Sequence, residues 1–167
     1  MHVALGGTFD PVHDGHLALF ERAFELGDVT VGLTSDELAP QTRHVDRYVR
    51  PFETRKTSLE TELRPLADEY DREFEVRTLE EPTGIATEPG FDALIVSPET
   101  KTGGERVNQI REEKGLKPLQ IEVVEHVPAE DGDRISSTRI VMGEIDRHGN
   151  LTPKRDGRGR KPPTGDE

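Results

Sequence analysis

Short apolar runs alternate along this chain with longer stretches of helical period. The runs fall at residues 2–5, 29–33, 73–79, 93–96 and 119–124, and several are rich in Val and Ile. Runs of that length and composition fit strands buried on both faces. Between them, residues 15–26 carry an apolar face of Leu17, Phe20, Ala23, Phe24 and Leu26, with Gly27 as a stop. Further helices are predicted from about 52 to 70, from 105 to 114 ending at Gly115, and from 137 to about 145. The order β-α-β-α-β-β-α-β-α predicts an α/β parallel sheet with right-handed crossovers. Residues 39–50 show no period and read as a loop. The folded domain is expected over residues 1–150. Residues 151–167 are expected as a disordered tail, because from Pro153 onward the chain is rich in Pro, Gly and Arg with no apolar side chain.

Composition narrows the classes of function. Across 167 residues, 34 acidic side chains face 22 basic ones, for a net charge of -12. Nucleic-acid backbones are recruited by basic surfaces, so a nucleic-acid partner is not expected. With no cysteine, disulfides, thiolate metal sites and cysteine nucleophiles are excluded. No apolar run approaches the ~20 residues that span a bilayer, and no secretory leader precedes the first strand, so a cytoplasmic protein without a membrane partner is expected. Only six of the basic residues are lysines. An acid-rich, lysine-poor surface suits concentrated salt, where screening removes its self-repulsion.

The first chemically informative stretch is ALGGTFDPVHDGH, residues 4–16. A buried strand stops at Gly6 and Gly7, turns through Thr8, Phe9, Asp10 and Pro11, and enters a helix near Asp14. Glycine lets a ligand approach the backbone closely, and a helix start presents free N–H groups and a positive dipole end. His13 and His16, three apart, project on one face of that turn. The combination predicts a triphosphate site. No Gly-Lys-Ser/Thr follows, so it is not a P-loop, and the glycine spacing is not that of a dinucleotide fingerprint. No third ligand stands near the two histidines to make a zinc site.

A second polar stretch, residues 96–119, begins where a strand ends at Val96. Residues 97–104 place hydroxyls, Lys101 and two glycines at the carboxyl end of that strand, where ligands of open α/β sheets bind. The same residues also serve as an ordinary helix-capping loop. A third stretch, Arg134-Ile135-Ser136-Ser137-Thr138-Arg139, sets two serines before a helix with arginines on either side. Hydroxyls and guanidinium there make a second phosphate cradle or a plain serine cap.

His13-Asp14-Gly15-His16 resembles the signature of the His-x-Gly-His nucleotidylyltransferases. Val-Ser-x-Glu-Thr-x-x-Gly-Gly, followed by Asn108, Arg111 and Gly115-Leu116, is similar to the archaeal and eukaryotic type of phosphopantetheine adenylyltransferase. The resemblance implies a doubly wound, Rossmann-like, five-stranded sheet of order 3-2-1-4-5, with ATP at the switch point beside the first strand. It implies nucleotide contacts at Gly6, Gly7, Thr8, Phe9, His13 and His16, with His16, His13 and Thr8 catalytic. Ser97, Glu99, Thr100 and Lys101 match the loop around nucleotide and acceptor, and Ser136, Ser137, Thr138 and Arg139 match the segment holding the β- and γ-phosphates. It implies ATP and 4′-phosphopantetheine as substrates, and Mg²⁺ carried with ATP rather than in a carboxylate cage of the protein. Together with the acid-rich surface it points to a halophilic archaeon. Nicotinamide mononucleotide or FMN as acceptor, or a nucleotide sensor without turnover, are the rival readings. One departure stands out. Relatives carry a lysine in the loop after the second strand, whereas residues 38–55 here contain none; Arg43 is the nearest candidate for the acceptor phosphate, with Arg47 and Arg50 behind it.

Overall fold

A computed structural model describes residues 1–42 and 49–152. Five strands, β1 (His2–Gly7), β2 (Asp28–Thr34), β3 (Phe74–Leu79), β4 (Ala93–Val96) and β5 (Gln120–Val123), form one parallel sheet of order β3-β2-β1-β4-β5. The helices are α1 (Asp14–Leu26), α2 (Phe52–Tyr70), α3 (Lys101–Glu113) and α4 (Ser137–Val141), with a short 3-10 helix at Ala39–Thr42. This is the doubly wound architecture anticipated above. Among the described residues, no helix is long and apolar enough to cross a membrane.

The pleat explains why the strands read as continuous apolar runs. Val3 and Leu5, Val29, Val31 and Leu33, and Ala93 and Ile95 face one side, where Phe20 and Phe24 of α1 and Leu59 and Leu63 of α2 close over them. Their neighbours Ala4, Leu94 and Val96 face the other side and pack with Leu79, Ile85, Val107 and Leu119. On α2 the buried positions are Arg55, Leu59, Leu63 and Ala67, an inward stripe spaced by four. A third, smaller cluster of Ala129, Ile135 and Ile145, with Val127 and Ile140 against it, gathers the chain around α4.

The differences from the sequence reading have local causes. Strand β1 runs on to Gly7 because Gly6 and Gly7 pair with Gly32 and Leu33 of β2. Helix α3 starts at Lys101 rather than 105 and takes in both glycines. A Cβ on Gly104 would lie 3.3 Å from Ile121 Cδ1 and 3.5 Å from Val96, so the helix crosses the sheet closely at this point. Helix α4 stops at Val141, just ahead of Gly143, whose φ of 82° turns the chain away. Beyond it, Leu151 bridges back to Ile145 and the Thr152 amide bonds to the Glu144 carbonyl.

The two glycines of α3 differ in what surrounds them, since nothing lies within 4 Å of a Cβ on Gly103. Gly103→Ala should therefore gain stability by the helix-propensity difference, about 0.5–1 kcal/mol. Gly104→Ala should gain less or lose, because its methyl presses on Ile121. Urea unfolding of both variants checks this, and equal gains would contradict the close crossing.

Candidate active site

Strand β1 ends in the middle of the sheet's carboxyl edge, and above it opens a cleft of about 1260 Å³. Gly6, Gly7, Gly32 and Thr34 form its floor. Leu38, Leu79, Pro82, Ile85 and Ala86 give one wall an apolar character, Thr100, Gly103, Gly104 and Val107 supply another, and the segment leading into α4 supplies a third.

Two imidazoles cap the helix beside this cleft, and one of them, His16, lines it. The ring of His13, the N-cap of α1, accepts the Gly15 amide proton at Nδ1 (3.0 Å), while Nδ1 of His16 accepts the His13 amide proton (3.2 Å). A nitrogen that accepts cannot carry the proton, so each neutral ring bears its hydrogen on Nε2. The rings stack with centroids 3.7 Å apart, and Phe9 meets His16 edge-on at 4.9 Å. Burial lowers the His13 pKa from 6.5 to about 4; Asp14 opposes the shift, while Arg134 and Arg147 add to it. Burial also holds His16 well below 6.5, helped by His13. Near neutral pH both rings are therefore uncharged donors. The glycine between them is required by contact: a Cβ on Gly15 would come within 2.8 Å of His13 Cε1.

Behind the cleft floor lies a polar frame that the motifs did not reveal. Buried Asp10 accepts the Arg50 amide proton (2.9 Å) and pairs with Arg50 Nε. Arg55, fully buried, donates from Nε to the Arg50 carbonyl (2.7 Å), from Nη1 to the Thr8 carbonyl (3.3 Å) and Thr34 Oγ1 (3.4 Å), and from Nη2 to Asp36 (2.9 Å). The hydroxyls of Thr8 and Thr34 lie 2.9 Å apart. One guanidinium thus joins α2, the end of β2 and the turn after β1. An arginine on the same stripe as Leu59 and Leu63 was the available signal.

Gly6, Gly7, Thr8, Phe9, His16, Glu99, Thr100, Ser136, Ser137, Thr138 and Arg139 all line the cleft. His13 stacks on His16 without lining it, and Ser97 and Lys101 also lie outside the lining. The Ser97 amide donates to Thr100 Oγ1 (2.9 Å), which orders the start of α3, and Lys101 is exposed on its first turn. Asn108 holds both backbone groups of Leu119, and buried Arg111 holds the carbonyls of Ala86, Glu88 and Lys117, so these two signature positions brace the scaffold. Ser136 caps α4 through the Arg139 amide (3.2 Å), and Ser137 donates its hydroxyl to the Pro11 carbonyl (2.7 Å). Arg139 is held by Asp131, by Glu144 (3.0 Å) and by the Arg134 carbonyl (2.9 Å). Arg43 and Arg47 lie outside the described residues, and Arg50 is committed to Asp10.

The cytidylyltransferase-like family profile matches residues 4–143. A phosphopantetheine adenylyltransferase of Methanosarcina barkeri is 50% identical over 152 residues, covering 89% of this chain and 91% of that protein. Another, from Archaeoglobus fulgidus, is 43% identical over 153 residues, covering 90% and 99%. Among solved structures, a protein of unknown function from Archaeoglobus fulgidus matches at 39% identity with a TM-score of 0.64, over 74% of this chain and 89% of that one. The chain therefore belongs to the cytidylyltransferase-like family, within which it groups with the archaeal phosphopantetheine adenylyltransferases.

Because the folded histidines titrate below 6.5, the unfolded chain takes up their protons first as pH falls. The stability of the neutral pair is therefore present above about pH 6.5 and is lost toward pH 4 for His13. His13→Asn keeps an N-cap acceptor but removes one titrating ring. Its melting temperature should fall less between pH 7 and pH 4.5 than that of the native sequence; parallel curves would show that His13 is not held neutral.

Proposed function

We propose that this chain transfers the adenylyl group of ATP to 4′-phosphopantetheine, releasing dephospho-coenzyme A and pyrophosphate. The reading is carried by a neutral histidine donor, His16, lining a cleft in a chain whose relatives of that name align over nine-tenths of its length. In the reaction, an oxygen of the acceptor phosphate attacks the α-phosphorus of ATP in line. The bond from that phosphorus to its bridging oxygen breaks, and pyrophosphate leaves with the electron pair. A phosphate monoester is already anionic, so the work left to the protein is positioning and charge stabilisation.

His16 donates its Nε2 hydrogen to an oxygen of the α-phosphate, with its Nδ1 pinned by the His13 amide. The start of α1 and the glycine floor receive the polyphosphate. The apolar wall of Leu38, Leu79, Ile85 and Ala86 fits the acceptor's long arm. Mg²⁺ carried with ATP would supply charge neutralisation on the polyphosphate. The enzyme works in the cytoplasm, in a salt-rich interior.

His16→Ala should lower turnover by about 10²–10³, the usual loss for one transition-state donor. Pyrophosphate release should appear with 4′-phosphopantetheine as acceptor. Release only with nicotinamide mononucleotide or FMN would reassign the substrate, and ATP binding without release on any acceptor would make the protein a sensor.

The charge carries a separate expectation. Residues 153–167 hold five basic and three acidic side chains, so residues 1–152 carry -14 of the total -12. Screening shortens from about 10 Å at 0.1 M salt to about 3 Å at 1 M. The melting temperature should climb steadily from low salt into molar KCl; a flat or falling curve would reject salt adaptation.

A further inference from the structure

We infer that Arg134 is the cation that grips the polyphosphate of the bound nucleotide, and that Glu99 holds it in reserve until that nucleotide displaces the carboxylate. This rests on the reading of the cleft as an ATP site. Among the described residues, two arginines and no lysine line the cleft. Arg139 is tied by all three of its nitrogens, to Asp131, to Glu144 and to the Arg134 carbonyl, and its side chain is only 17% exposed. Its charge is answered twice over by carboxylates that belong to the same small unit.

Arg134 is built differently. Its backbone is fixed, bridged to Pro128 and anchored through its carbonyl by Arg139. Its side chain is 40% exposed and meets one carboxylate, Glu99 Oε1, at 2.6 Å. The two residues come from different walls, Glu99 from the loop between β4 and α3 and Arg134 from the segment before α4. Both line the cleft. The positive charge of Arg134 is also felt at His13, whose ring stacks on that of His16.

A triphosphate entering there meets a carboxylate and a guanidinium already joined. An exposed carboxylate–guanidinium pair is weakly held in water, whereas phosphate oxygens offer the planar fork two acceptors and a larger charge. The guanidinium therefore changes partner. Glu99, 45% exposed, turns to solvent at little cost. The exchange also unfastens the two walls as the nucleotide arrives, and the carboxylate recaptures Arg134 when pyrophosphate departs.

Calorimetric titration with Mg-ATP, pyrophosphate and AMP, without acceptor, tests this on the whole protein. Arg134→Gln should weaken ATP and pyrophosphate on the order of 10- to 100-fold, the value of a hydrogen bond to a charged group. AMP should change by less than about threefold, and Arg134→Lys should recover part of the loss. Glu99→Gln should bind ATP more tightly than the native protein, because the competing carboxylate is gone. Unchanged ATP affinity in Arg134→Gln, or equal weakening of ATP and AMP, would overturn the assignment. Weakening by Glu99→Gln to match Arg134→Gln would show a fixed brace instead of an exchange. Pyrophosphate release with acceptor, measured alongside, reports on the transferase reading separately from these binding ratios.

Discussion

The first turn of any helix has amide protons that need acceptors, and here imidazole nitrogens take two of them. Gly15 gives its proton to the ring of His13, and His13 gives its own to the ring of His16. Much of the cleft's chemistry follows from this. The arrangement settles which nitrogen of each ring carries hydrogen, stacks the rings, and makes protonation of either one unfavourable. It also explains why the residue between them has no side chain, since a methyl there would strike the first ring. A motif that reads as ligand chemistry is at the same time a capping box, and its two uses share the same atoms.

The scaffold that carries this turn relies on buried arginine. Arg55 and Arg111 each lie within the fold and satisfy carbonyl groups from more than one segment, Arg55 from residues 8 and 50, Arg111 from residues 86, 88 and 117. A planar group with five donors answers several acceptors at once, which an ammonium on a flexible stem does less well. The chain has 22 basic residues and only six lysines. The described structure gives that preference a mechanical side beyond any effect of salt on the surface.

Most of the fold was legible because its signals are local. The stripe at 59, 63 and 67 and the apolar runs at 29–33 and 93–96 are set by periodicity, and α2 spans Phe52–Tyr70 as its pattern predicts. The sheet order came with the resemblance carried by His13, Gly15 and His16. What escaped depends on neighbours far along the chain. Gly103 and Gly104 read as loop because glycine is a poor helix former, and the contact that places Gly104 against Ile121 lies across the fold. The ion pairs that hold Arg139 escaped as well, because nothing in Ser-Ser-Thr-Arg discloses that Asp131 and Glu144 stand beside it. Asp10, Thr34 and Arg55 carry no signature at all, since their meaning lies in one another.

The small cluster of Ala129, Ile135 and Ile145 has its own consequence. The unit around it is fastened to the main body by polar links: Ser137 to Pro11, Arg147 to Glu62, His148 to Asp14, and the Asp14 amide to the Arg147 carbonyl. Water competes for each of these bonds as it cannot for the contacts of Leu59 or Phe24. Detaching the unit exposes little of the main core, so it forms a separate cooperative piece whose opening costs less than unfolding the sheet. Amide hydrogens around Ile135 and Ile145 then exchange with solvent on a faster clock than those of β1. The two sides of the cleft then differ in stiffness, one set by the sheet and the other by the small polar-fastened unit around α4.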